Sequence, residues 1–172
     1  MNFDFETSRL VVTELTADGA VSDRTGLLLE IPEILTPVVV AYLPPHFSGI
    51  CSSQDAEAWL DRMYSESHLL LVTARVDKTP VGFLFVHVGQ ERDAHIGFLL
   101  RESHWGQGLA SELLRGFIDE VRESRTLRTL IGGVSLENTQ SQRLFEKLDF
   151  SKRIDSQMDT LFYEIALEKS DV

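Results

Sequence analysis

Gly106 and Gly108 stand where a strand-like run meets a helix-like one, and that junction is the most chemically suggestive point in the chain. The segment 94–114 reads AHIGFLLRESHWGQGLASELL: an apolar β-rich run, a short polar joint, then Trp105-Gly106-Gln107-Gly108-Leu109-Ala110 opening an amphipathic stretch. The first turn of a helix leaves several backbone N–H groups unpaired and carries partial positive charge. Glycine lets the backbone approach a ligand with no Cβ in the way. Together these properties make an anion cradle suited to a diphosphate. The same spacing also describes a glycine-rich turn kept only for its geometry, and spacing alone leaves both readings open. The G-x-x-x-x-G-K-[ST] loop is absent, as is the third glycine of the dinucleotide fingerprint.

A second constellation lies downstream, in the segment 131–150. Asn138, Ser141, Leu144, Phe145 and Leu148 fall on one stripe of a helix. Two polar residues therefore share the inward face with apolar ones. Asn138 is a good helix N-cap, and Ser141 could bond back to the preceding turn. Either could equally face a ligand. His95 shares a strand face with Gly97 and Leu99 by period-two alternation. A neutral imidazole there can accept a proton, although a sheet histidine with a purely structural bond fits as well. His46, His68, His87 and His104 have no comparable placement, and the five histidines lack zinc-like spacing, so no metal is assigned. The G-x-S-x-G elbow of a serine hydrolase is missing.

These residues need a scaffold, and the chain reads as an α/β one. Strands are expected at 7–14, 69–76, 81–88, 94–100, 127–134, 150–154 and 160–167. The pair 69–76 and 81–88 is joined by Asp77-Lys78-Thr79-Pro80 and reads as a hairpin. Residues 16–34 look helical in part, with Gly19, Gly26 and Pro32 against it. Residues 36–52 read as a loop with a short ordered piece. From Ser53, a candidate cap, Ala56, Trp59, Leu60, Met63 and Tyr64 mark a buried helical face, which makes Trp59 core rather than site. Further helices are expected over 106–123 and 138–148. Strands come first in a block and then alternate with helices, which fits a mixed sheet with helices on both faces.

The chain has 172 residues, 43% of them apolar and 25% charged, and carries a net charge of −11. This length suits one domain, 1–172. No apolar run approaches the roughly 20 residues of a membrane span, the first six residues lack the features of a secretory signal, and Cys51 has no partner for a disulfide. A cytoplasmic protein is expected. The acidity argues against nonspecific nucleic-acid binding and favours cationic partners.

WGQGLASELL after a strand ending in GFLLRES resembles the acyl-CoA-binding motif of the GNAT acetyltransferase superfamily. Its Trp-Gly-x-Gly-x-Ala form is similar to the branch that includes ribosomal-protein N-terminal acetyltransferases, more typical members having Arg or Gln where Trp105 stands. The segment 131–150 resembles the family's later strand–Asn–helix unit. The resemblance implies a GNAT-like, mostly antiparallel sheet of about six to seven strands. It implies acetyl-CoA as cofactor, with backbone amides of Gly106, Gln107, Gly108, Leu109, Ala110 and Ser111, beside Trp105, around its diphosphate. Phe98, Leu99 and Leu100 would pair with the pantetheine arm, and Asn138 and Ser141 would face its thiol end.

The implied activity is acetyl transfer to a primary amine, either a protein N-terminal α-amine or a small amine. A catalytically silent acyl-CoA-binding module is the alternative. Many family members have a Tyr acid where this chain has Phe145, which leaves Ser141 as the candidate donor to the leaving sulfur. The related branch often has Glu at the position of His95, the candidate base. Asp149 replaces the family's usual Gly, at a position where Asp tolerates the left-handed conformation. Tyr42, His46 and Phe47 fall in the region that lines the acceptor groove in the family, and homodimers are common in the branch.

Overall fold

The computed structural model describes residues 1–19, 23–155 and 157–168. Strands β1 (Phe5–Glu6) and β2 (Leu10–Leu15) are followed by helices α1 (Arg24–Ile34) and α2 (Ser53–Glu66). Then come β3 (His68–Ala74), β4 (Pro80–Val88), β5 (Asp93–Leu100), α3 (Leu109–Ser124), β6 (Thr129–Ser135), α4 (Thr139–Lys147), β7 (Ser151–Lys152) and β8 (Thr160–Ala166). The strands form one sheet in the order β1-β2-β3-β4-β5-β6-β8-β7. Every neighbouring pair is antiparallel except β5 and β6, which run parallel.

The sheet has eight strands, above the expected six to seven. The extra one is Phe5–Glu6, which lies ahead of the expected run 7–14; that run opens with a turn and becomes strand only from Leu10. Thr7 N–H donates to Leu10 O at 2.9 Å, and Leu10 N–H donates to Thr7 Oγ1 at 3.1 Å. This tight turn folds Phe5 and Glu6 back onto Val12 and Val11.

Local chemistry accounts for the helix starts. Asp23 caps α1 by accepting from Gly26 N–H at 2.8 Å. The helix occupies 24–34 of the expected 16–34, of which 20–22 lie outside the described residues. Pro32 sits in its last turn, where the missing N–H removes one helical bond. The cap of α2 is Ser52 rather than Ser53: Ser52 Oγ accepts from Asp55 N–H, while Asp55 accepts from Ser52 N–H. The reciprocal box needs an acceptor side chain three residues beyond the cap, and Ser53 would find Ala56 there. Residues 36–52 are a loop carrying one short 3-10 turn, Pro45–Phe47. Asp149 adopts φ 66°, closing the chain after α4.

Each face of the sheet has its own apolar core. On one side α1 and α2 bring Ile31, Ile34, Trp59, Leu60 and Met63 against Leu69, Phe83 and Leu99. On the other, α3 and α4 bring Leu113, Leu114, Phe117 and Phe145 against Val72, Leu84, Leu130 and Tyr163. Burying each such side chain contributes roughly 1.5–3 kcal/mol. Because β5 and β6 run parallel, the connections that follow them leave from the same end of the sheet.

Candidate active site

Between β5 and β6 the sheet opens. Their parallel pairing runs only from Asp93 with Thr129 to Ile96 with Gly132, whereas β5 stays paired to β4 as far as Leu100. Arg101 N–H donates to Val81 O at 2.7 Å. Alternation along the strand then turns the peptide groups of Phe98 and Leu100 away from β4, toward the opening. Leu100 O is taken there by Trp105 Nε1 at 2.8 Å. The rest of this edge faces the gap without a strand partner.

The opening continues into a cleft of ≈ 970 Å³. Its walls include Phe98 to Leu100, the turn before α3, the first turn of α4, and the loop stretch around Val38, Val39 and Tyr42. Among the described residues, the lining holds one carboxylate, Glu137, and one ammonium, Lys147, beside the imidazole of His104. An acidic chain thus places little of its acid at this cleft, and Lys147 offsets the one carboxylate there.

At one end lies the glycine turn. Gly106 and Gly108 have φ of 71° and 76°, a region that costs most L side chains roughly 1–2 kcal/mol. Gly108 occupies the N-cap position of α3 and supplies no side-chain cap. The first intrahelical bond is Glu112 N–H to Gly108 O, at 3.1 Å. Among the described residues, the N–H groups of Gly106, Gln107, Gly108, Leu109, Ala110 and Ser111 have no protein acceptor. Six donors therefore point outward from one turn and one helix end.

At the other end, α4 begins. Asn138 Oδ1 accepts from Ser141 N–H at 3.2 Å, so Asn138 is a true N-cap while also lining the cleft. Ser141 lines the cleft too, and no protein partner is found for its Oγ among the described residues. Phe145, one turn on, is buried: it stacks on Tyr163 at 5.8 Å and meets Phe150 at 4.8 Å. Tyr163 does not restore the phenol that Phe145 lacks. It is buried, its hydroxyl donates to Glu146 at 3.2 Å, and burial with the Glu146 carboxylate pushes that hydroxyl above its ordinary value.

The remaining sequence candidates divide. Tyr42 lines the cleft, half exposed. His46 lies in the 3-10 turn, its ring 4.7 Å from Phe47 and its Nε2 3.9 Å from Glu66, away from the cleft wall. Phe47 is buried against Trp59 and Phe85 in the core below α2. His95 is exposed on the face opposite α3 and α4, edge-on to Phe162 at 6.3 Å, and outside the cleft lining. Sequence reasoning set His104 aside and did not assign Val38, Val39, Leu144 and Lys147 to the site; all five show as wall residues only once the loop, the turn before α3 and α4 are placed. Among the described residues no group of three or more candidate ligands could hold a metal, and no helix is long and apolar enough to cross a membrane.

Comparison with known proteins bears on this geometry. A model of the acetyltransferase (GNAT) domain matches residues 19–151. An uncharacterized N-acetyltransferase p20 of Bacillus licheniformis is 41% identical over 59 residues, 34% of this chain and 33% of that protein, so the match spans a third of that relative's length. A GNAT-family acetyltransferase from Bacillus anthracis shares the fold with a TM-score of 0.76 at 19% identity, over 96% of this chain and 99% of that one. RimL, a ribosomal L7/L12 alpha-N-protein acetyltransferase solved with coenzyme A, superimposes with a TM-score of 0.71 at 15% identity, over 93% and 95% of the two chains. With the domain model covering well over half its length, the chain belongs to the GNAT acetyltransferase family, whose members draw their acetyl group from acetyl-CoA.

Proposed function

We propose that this chain transfers acetyl from acetyl-CoA to a primary amine by direct attack within a ternary complex. The observation that carries the reading is the uncapped start of α3, where six backbone donors have no protein acceptor among the described residues and five of their residues, Gly106 and Gly108 to Ser111, line the cleft. The residues present fit the cofactor. The N–H groups of Gly106 to Ser111 would hold its diphosphate, and the edge of β5 left open at Phe98 and at the Leu100 N–H would pair with the amides of the pantetheine arm as an added strand.

Acetyl-CoA supplies an activated thioester, so the protein has only to orient, to deprotonate and to protonate. Ser141 Oγ, free and at the head of α4, would hydrogen-bond the departing sulfur. Asn138 would hold the first turn of α4 in place for it. His95 is the candidate base, acting on the amine through water, since it stands outside the cleft wall. Tyr42, at the rim, would meet the acceptor, and His46 and Phe47 would shape that region from behind. The acceptor is either a protein N-terminal α-amine, the substrate type named for RimL, or a small amine. The reaction would take place in the cytoplasm, in a 1–172 domain similar to a branch in which homodimers are common.

An amine panel read by release of free CoA thiol tests the reading. Thiol release with at least one amine class is expected. CoA binding with no release across peptides and small amines would make the chain an acyl-CoA-binding module, the reading that Phe145 in place of a phenol also allows.

A further inference from the structure

The glycine turn is held from behind by residues nearly a hundred positions away. Arg9 Nη1 donates to Gln107 O at 2.9 Å. Arg9 Nε donates to Glu112 Oε2 at 2.7 Å, while the Arg9 N–H and the Thr7 hydroxyl donate to Glu112 Oε1 at 2.8 and 2.6 Å. Burial alone would raise the Glu112 carboxyl, but the bonds from Thr7 and Arg9 outweigh it and hold the group below its ordinary value. One carboxylate thereby ties the β1–β2 turn to the first turn of α3.

The helix is shaped for this contact. Gly116, one turn beyond Glu112, sits in the interior of α3, where glycine costs roughly 0.5–1 kcal/mol against alanine. A Cβ at that position would lie 2.6 Å from Thr7 Cγ2 and 2.8 Å from Phe5 Cε2. The missing side chain is what lets the turn at Thr7 to Arg9 lie against α3.

Peptide geometry makes the consequence specific. The Gln107–Gly108 peptide is trans, so its C=O and N–H point in opposite directions. With the carbonyl fixed on Arg9, the Gly108 N–H is directed away from the β1–β2 turn, toward the cleft that Gly108 lines. Gly108 has no side chain to resist a flip of that peptide. A flip would replace a donor by a carbonyl oxygen on the anion side of the turn.

We infer that Arg9, fixed by Glu112, is a positioning residue that locks the Gln107–Gly108 peptide in its anion-binding orientation. The inference rests on the proposed diphosphate site. Arg9 acts through the peptide, and its planar fork, which serves Glu112 and Gln107 together, is not reproduced by lysine.

Calorimetric titration of CoA and NMR titration of pantetheine, which lacks the diphosphate, test it on wild type, Arg9→Ala and Arg9→Lys. Arg9→Ala is expected to bind CoA about tenfold more weakly, the loss of one charge-assisted hydrogen bond, with pantetheine affinity unchanged. Arg9→Lys should recover less than half of the lost affinity on a logarithmic scale. Wild-type CoA affinity in Arg9→Ala would overturn the lock. So would an equal loss for CoA and pantetheine, which would mark a general role in folding. Full recovery in Arg9→Lys would replace the lock with a simple effect of charge. Should Arg9→Ala not fold, Glu112→Gln reads the same way, with a loss of about threefold expected and none overturning. Failure of the wild type to bind CoA would be a different result, removing the diphosphate site and the lock together.

Discussion

Helices α3 and α4 begin at the same cleft and begin differently. α4 opens on Asn138, whose side chain accepts from the Ser141 N–H, as a helix ordinarily satisfies its first turn. α1 and α2 are capped in the same way, by Asp23 and by the Ser52–Asp55 box. α3 opens on a left-handed glycine with no side-chain acceptor. A missing cap leaves donors unsatisfied, which is unfavourable for the free protein and useful for a bound anion. The contrast assigns different work to the two helix starts: α3 holds charge with its backbone, and α4, with its Thr139 and Ser141 N–H groups already bonded, presents a hydroxyl.

Breaking the α3 side should have the largest effect. Asp tolerates the left-handed region, so Gly108→Asp can keep the backbone of the turn; its Cβ would lie 3.7 Å from Arg9 Nη2, so the new carboxylate adds negative charge beside the cradle and competes for the guanidinium that holds Gln107. CoA affinity should fall by about a hundredfold or more, from like-charge repulsion in a partly dry cleft, with the melting temperature changed by only a few degrees. Equal affinity in a folded variant, measured by calorimetry, would remove the cradle from the account. Breaking the α4 side should separate rate from binding. Ser141→Ala is expected to lower kcat about tenfold to a hundredfold while the CoA Kd stays within about twofold, and an unchanged kcat would take the hydroxyl out of the chemistry. The smallest effect belongs to the cap itself. Asn138→Ala should cost about 1 kcal/mol of stability, seen as a lower melting temperature with CoA affinity preserved. A large loss of CoA affinity there would mean that Asn138 binds the cofactor directly and that the two helix starts do the same job.

Much of this contrast was legible in the chain. Gly106, Gly108 and the amphipathic run after them mark the α3 start because glycine spacing and helical periodicity are local signals. Asn138 three residues before Ser141 marks the α4 start for the same reason. The Ser52 cap was one residue from the expected Ser53, because the deciding group is the acceptor three positions on and Ser53 has none. What stayed hidden depends on distant contacts. Phe47 shares an aromatic pattern with Tyr42 in the same loop, yet one is buried under α2 and the other lines the cleft. Thr7 and Arg9 lie in a run that reads as plain strand, and their role depends on Glu112, which meets them only when α3 packs on β1. The split between β5 and β6 was equally invisible, since each strand is regular and only their pairing stops at Ile96.

The most direct test is a crystal structure of the protein with CoA. The diphosphate oxygens should lie about 2.7–3.2 Å from the backbone nitrogens of the turn and first residues of α3, with the Gln107 carbonyl still turned toward Arg9. A diphosphate bound elsewhere, with these amides left to solvent, would contradict the account.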